Sequence, residues 1–363
     1  MSMKIFFSLR TQFSNLGDLV INRLLVKEAL DSGNLFLDVN GVPDWYLNLI
    51  LKGVDEKAVL NNNRIRYYLL LILVIIQNKS KVVVILKPGG YMACNSKRML
   101  LTRFLQGIQN HVVVALGGRV LRAPSSQQNS KGLGFLVDRF RLSPINNQLI
   151  RDEFSCDELK RLGFDSTFTH DMAVLLFLDE VRRVIFPNSL IKNRKKIENN
   201  NVVFSFRERS WMHSTYMAST IKKMDKSYDS IFVSQVFSDN KLNAELADST
   251  DSKIVTYDGS ERSIIDVANE YIECKYVVSN RLHVLMIAAS FGAIPIAIVS
   301  ADDEKVRSFM VRIGMEGNVF TSEEWMLMPI DTIIIKSEPV NATLMKKYAG
   351  ELKETIRLAI LNE

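Results

Sequence analysis

Cysteine is scarce in this chain, and the little there is does not cluster. Among 363 residues there are three, Cys94, Cys156 and Cys274, an odd number with no CxxC pair. That argues against a disulfide framework and for a reducing, cytoplasmic setting. The four histidines lie far apart and form no HExxH pattern, so no resident metal is expected. No apolar run reaches the roughly 18 residues that a membrane-spanning helix needs. The most apolar run, residues 67–76, reads as a buried helix. Residues 1–10 have only a short apolar run and nothing like a cleavage site, so they read as a strand rather than a signal peptide. No basic-and-aromatic RNA motif is present, and nucleic acid is not an expected partner. The net charge of +6, with basic residues spread along the chain, suits a small anionic partner such as a phosphorylated metabolite or a lipid pyrophosphate.

What is present is ample apolar material, 47% of the chain, which suffices for two buried cores over this length. Strand-like runs recur and end in glycine, with helical stretches between them. Residues 4–9 lead into Asn15-Leu16-Gly17-Asp18 and a helix to residue 30. Residues 82–86 end at Lys87-Pro88-Gly89-Gly90, and residues 111–116, read as a further strand, end at Gly117-Gly118. The alternation predicts a doubly wound α/β fold. Residues 187–201, polar, basic and rich in asparagine, read as a linker. Around it the expected organisation is a first lobe over 1–186, a second over 202–340, and a C-terminal helix over 341–363. A contact of residues 192–196 with anionic lipid at the inner face of the membrane stays open, beside their plainer reading as solvated linker.

The most informative stretch is residues 276–299, YVVSNRLHVLMIAASFGAIPIAIV. It predicts a buried strand, an N-cap at Ser279 or Asn280, and a helix from Arg281 that is apolar on every face. Gly292 is suited to the left-handed cap and Pro295 blocks continuation before a second strand, residues 294–299. Arg281 and His283 fall in the first helical turn, beside unpaired N–H groups at the positive end of the helix dipole. That is an anion site at the carboxyl edge of a sheet. The plain alternatives are a capped helix whose arginine meets a structural carboxylate, and, for Asn15–Asp18, a tight turn with Asp18 capping the helix.

Ser279, Arg281, Leu282, His283, Gly292 and Pro295 together resemble the polysaccharide pyruvyl transferase family. Other blocks follow in the right order: Asn15-Leu16-Gly17-Asp18, Arg151-Asp152 with Ser155, Leu162-Gly163, Asp171 before Ala173, and Ser205-Phe206-Arg207. His170 stands where the family has proline, and the glycine loop at 87–90 is divergent. The resemblance implies two Rossmann-like lobes facing a cleft, in the GT-B manner, with the C-terminal helix crossing back toward the first, and a transferase that uses phosphoenolpyruvate as co-substrate with no other cofactor. The implied product is a pyruvate ketal on a sugar of a polysaccharide or glycolipid precursor, the acceptor being lipid-linked or otherwise activated. His283 and Arg281 would be catalytic. Arg207, Lys305, Ser279, Leu282, Asn15, Gly17 and Asp18 would bind substrate, with the arginines as bidentate forks. A nucleotide-sugar-dependent GT-B glycosyltransferase of cell-surface polysaccharide synthesis is the alternative. The acceptor sugar, its linkage and the oligomeric state are not readable from sequence.

Overall fold

The computed structural model describes residues 2–52, 58–90, 97–186, 200–210, 212, 214–224, 228–300 and 304–362. The linker read at 187–201 lies outside this set over 187–199, as do residues 192–196, for which a lipid contact stays open, and Cys94. The chain forms two compact units. One comprises Met1–Thr11, Ile21–Met172 and Gly350–Glu363, the other Gln12–Val20 and Ala173–Ala349. Two of the four divisions fall inside the helices Leu16–Ser32 and Ala342–Leu361.

In the first unit the strands are β1 (Met3–Ser8), β2 (Gly33–Asp38), β3 (Ala58–Asn61), β4 (Val82–Leu86), β5 (Gly89–Gly90), β6 (Arg119–Ser126), β7 (Asn147–Ile150) and β8 (Thr167–Phe168). They form one sheet in the order β3-β2-β1-β4-β6-β7-β8, with β5 on β6, and each pairing is parallel. The second unit holds β9 (Val202–Ser205), β10 (Ser230–Ser234), β11 (Lys253–Thr256), β12 (Tyr276–Ser279), β13 (Ile294–Val299) and β14 (Val319–Thr321). They too are parallel, in the order β11-β10-β9-β12-β13-β14. Numbered within its own unit, that is the 3-2-1-4-5-6 order of a Rossmann fold.

Apolar runs explain the central strands: Val82–Leu86 and Val202–Ser205 are buried along their whole length, as strands covered by helices on both faces must be. The second core is closed by aromatic packing, with Trp325 fully buried against Phe204 and Phe206.

Three expectations need correction. The β-branched run ending at residue 116 is not a strand but the end of the helix Lys97–Ala115. Val113 enters the core, and Gly117, at φ 93°, ends the helix through Gly117 N–H to Val114 C=O (2.9 Å) and Gly118 N–H to Val113 C=O (2.9 Å). The strand follows, as β6, disguised by its arginines. Arg122 is fully buried and donates to Ser125 Oγ (2.7 Å), and Arg119 donates to the carbonyls of Ala359 (3.3 Å) and Ile360 (2.5 Å). The run at residues 67–76 is a helix, Arg64–Asn78, but only Tyr67, Leu71 and Ile75 are buried, while Leu69, Leu73 and Ile76 are exposed. The double glycine at 89–90 does not run from β4 directly into a helix; it forms the short strand β5 against Ser125 and Ser126.

Candidate functional site

At the carboxyl edge of the second sheet, β9 and β12 lie side by side, with Ser205 opposite Ser279. From there the chain runs to β10 on one side and β13 on the other. Connections that diverge in this way leave a crevice at the strand ends, where α/β folds bind ligands. Arg207 follows β9, and Arg281 and His283 follow β12, so both segments singled out in the sequence arrive at this one place.

Side-chain amides hold the edge open. Asn280 Nδ2 donates to the Arg207 carbonyl (2.8 Å) and its Oδ1 accepts from Arg207 N–H (2.8 Å). Asn243 treats Phe206 in the same way, at 2.9 Å for each bond. Two successive residues are therefore fixed at both backbone groups, while the Arg207 side chain is exposed. Asn280 is thus not the helix cap. The N-cap of the helix Leu282–Phe291 is Arg281, one residue later than expected, with no side-chain cap bond. Ser279 is completely buried, donates to the Ser205 carbonyl (2.5 Å) and accepts from Arg281 N–H (3.0 Å). Its hydroxyl positions the arginine. The helix itself is buried from Val284 to Phe291 and closes at Gly292 in the left-handed conformation, φ 100°, as expected.

The Arg281 guanidinium engages Asp239, a buried carboxylate just beyond β10, through Nη2 (2.6 Å) and Nε. The expected bidentate edge of Arg281 is therefore occupied within the protein. Sequence reasoning missed Asp239. Its only signal was an acidic residue in the loop following a central strand.

The Asn15-x-Gly-Asp segment belongs to this same unit. Asn15 Oδ1 accepts from Gly17 N–H (2.9 Å), closing an Asx turn. Around it, Leu16 N–H bonds the Gln235 carbonyl (3.0 Å) and Phe237 N–H the Ser14 carbonyl (3.1 Å), an antiparallel bridge onto the loop that carries Asp239. Gln235 Nε2 also donates to Tyr271 Oη (2.6 Å), and burial keeps that phenol well above its ordinary pKa. The turn lies directly on His283: a Cβ built at Gly17 would sit 2.6 Å from His283 Nδ1 and 2.7 Å from its Cβ. Only glycine permits this approach. Two motifs far apart in sequence thus meet at one imidazole.

The remaining candidates are less tightly placed. Asp18 is in the first turn of Leu16–Ser32, Leu282 opens the helix after Arg281, and both are half-buried. Lys305 is half-buried in the first turn of Glu304–Arg312, on the connection that leaves β13. In the first unit Asp152 caps the helix Glu153–Leu162 by accepting from Ser155 N–H (2.9 Å), and Arg151 pairs with Asp171 rather than with its neighbour.

The model of the family described as polysaccharide pyruvyl transferase matches residues 15–301. No individually curated protein matches the chain in sequence. Among solved structures, Anabaena HepE in complex with UDP-glucose superposes with a TM-score of 0.56 at 12% identity, over 99% of this chain and 98% of that one. A UDP-GlcNAc 2-epimerase from Neisseria meningitidis bound to UDP-GlcNAc gives 0.58 at 12%, over the whole of both chains (100% and 100%). The UDP-N-acetylglucosamine 2-epimerase of Rickettsia bellii gives 0.60 at 11%, over 100% and 97%. At such identities the likeness establishes the fold, which is GT-B-like with two Rossmann-like lobes.

Proposed function

Since the chain belongs to the polysaccharide pyruvyl transferase family, we propose that it transfers a pyruvyl unit from phosphoenolpyruvate to two hydroxyls of one sugar in a polysaccharide or glycolipid precursor. The observation that carries this reading is the seating of the Asn15–Asp18 turn on His283 at the switch point of the second sheet. It joins the two ends of the family match around the residue best suited to move a proton near neutrality.

The donor presents a carboxylate and a phosphate. Arg207, exposed on a rigid backbone, and Arg281 would hold these oxyanions, with Lys305 as a point charge. Asp239 and Ser279 act one step back, fixing Arg281. Protonation of the donor's methylene carbon gives an oxocarbenium-like centre, and the first sugar hydroxyl attacks it. Loss of inorganic phosphate and attack by the second hydroxyl close the ketal. One hydroxyl proton ends on the new methyl group and the other on phosphate, so the reaction balances without redox chemistry. His283 is the group assigned to proton transfer. The first unit would supply acceptor recognition.

The nucleotide-sugar reading draws support from HepE and the epimerase, whose structures hold UDP-glucose and UDP-GlcNAc. Incubation with phosphoenolpyruvate and a panel of lipid-linked and nitrophenyl sugars, following phosphate release and product mass, separates the two. A product heavier by a ketal-linked pyruvate, formed equally well with chelator present, supports the pyruvyl transferase. Tight UDP binding with no phosphate release from phosphoenolpyruvate, or a strict need for a divalent ion, would move the assignment to the glycosyltransferase.

A further inference from the structure

Lysine and arginine are spread along the chain, but the acids are not. Residues 57–137 contain twelve Lys and Arg and no Asp or Glu, whereas the whole chain nets +6, so the remainder is net acidic. Within this acid-free stretch lie the helices Arg64–Asn78 and Lys97–Ala115, and the start of Leu133–Leu142. All three pack on one face of the first sheet. Tyr67, Leu71, Ile75, Val113 and Leu142 share a single core, Tyr68 Oη bonds Gln109 Oε1 (3.3 Å), and Phe104 stacks on Phe140.

The outward faces are apolar. Ile65, Leu69, Leu73 and Ile76 line one helix at 73%, 57%, 56% and 57% exposure. Leu101, Leu105, Ile108 and Val112 line the next, and Leu133 and Leu136 extend the surface onto the third. Spacings of three and four residues keep each set on one stripe. Because each helix returns antiparallel to parallel strands, the three run parallel to one another. Their N-terminal ends therefore share the sheet's carboxyl edge, and exposed Arg64, Arg66, Lys97, Arg98 and Lys131 gather there.

We propose that this face of the first unit docks on an anionic phospholipid surface, with its apolar stripes lying in the headgroup boundary and its basic rim on the lipid phosphates. Contiguous exposed apolar patches on this scale mark interaction sites. Leucine and isoleucine stripes rimmed by Lys and Arg are the chemistry of monotopic membrane contact. A second copy of the chain offers no acid from this stretch to pair with the basic rim, whereas a lipid surface offers its phosphates. The docking places the carboxyl edge of the first sheet at the lipid surface. It requires no particular reaction, so its test is independent of the pyruvyl transfer.

Flotation with vesicles of phosphatidylcholine mixed with phosphatidylglycerol, against phosphatidylcholine alone, is the direct measurement. The protein should float with the anionic vesicles and be released by salt. The variant R64E/R66E/K97E/R98E should lose more than about tenfold in apparent affinity. L73Q/L105Q, at exposed positions, should lose a similar factor while keeping the parent circular dichroism spectrum, and both variants should keep phosphate release with a soluble acceptor. Failure to float, equal binding to both vesicle types, or unchanged binding by both variants would overturn the proposal. So would a stable dimer in sedimentation velocity that L73Q/L105Q dissociates, since a second copy would then cover the face.

Discussion

The two units wind parallel sheets in corresponding orders, yet they place their charges in opposite ways. In the first, a carboxylate and its arginines are turned inward. Asp138 is completely buried and is held by Arg103 (2.8 Å), Arg141 (3.1 Å) and Ser130 (2.5 Å). Around that interior, the helices Arg64–Asn78 and Lys97–Ala115 turn leucine and isoleucine to the outside. In the second, Arg207, Arg281, Asp239 and His283 collect at the ends of the central strands. The difference shows how little strand order says about function. One winding rule serves a charged crevice in one place and an apolar outer face in the other, and the residues at strand ends decide which.

The comparison breaks first at His283. In His283→Gln the cations remain, so calorimetric binding of phosphoenolpyruvate should persist while turnover falls by roughly 10²–10⁴-fold. Arg281→Ala should do the converse, weakening donor binding by about 2–4 kcal/mol, since it also strands Asp239. If His283→Gln turns over at the parent rate, the imidazole is only a packing partner of Gly17.

The inward charges of the first unit should act on stability instead. Asp138→Ala leaves Arg103 and Arg141 without their buried carboxylate, at a cost of about 3–5 kcal/mol, read as a lower denaturation midpoint. A variant with parent stability but reduced turnover would show that this cluster serves the chemistry.

A finer test is Gly17→Ala. The added methyl must displace His283, and a shift near 1 Å is expected to lower turnover by about 10²-fold, with overpacking costing about 1–3 kcal/mol. Gly317→Ala, in the same unit and with nothing within 4 Å of the new methyl, is the control and should leave turnover unchanged.

The smallest effect concerns Cys274. Burial, reinforced by Glu270, pushes its thiol pKa well up. Alkylation of the native protein near neutral pH should label Cys274 only after unfolding, and rapid native labelling would show that the second core opens readily.

The second unit was the more legible in sequence. Its strands are short β-branched runs bounded by glycine, asparagine and proline, and the stretch from Tyr276 to Val299 folds as its residue pattern requires. The first unit hid a helix inside a valine run, and hid β6 behind Arg119, Arg122 and Pro124. The donors of those arginines are satisfied by partners that only folding supplies: carbonyls from the last helix for Arg119, serine and glutamine side chains for Arg122. Within the site, Arg281 and His283 were visible because they are the only charged or titratable groups before a long apolar run. Asp239 and the two clamping asparagines were not, because their meaning lies in contacts across tens of residues. Gly17 was visible as a turn residue. That its missing side chain makes room for His283 appears only in three dimensions.

The Gly17–His283 contact has a consequence for the order of assembly in the cell. The turn that seats the imidazole leaves the ribosome well before β12 and the helix after it. At about 5–20 residues per second, that turn waits on the order of tens of seconds for its partner. The strands of the first sheet can pair in the interval, and Asp239 emerges within it, but the crevice still lacks Arg281 and its histidine. A chain cut short anywhere before β12 therefore leaves Asp239 without Arg281 and the Gly17 turn without His283, and the crevice is complete only once residue 283 has emerged.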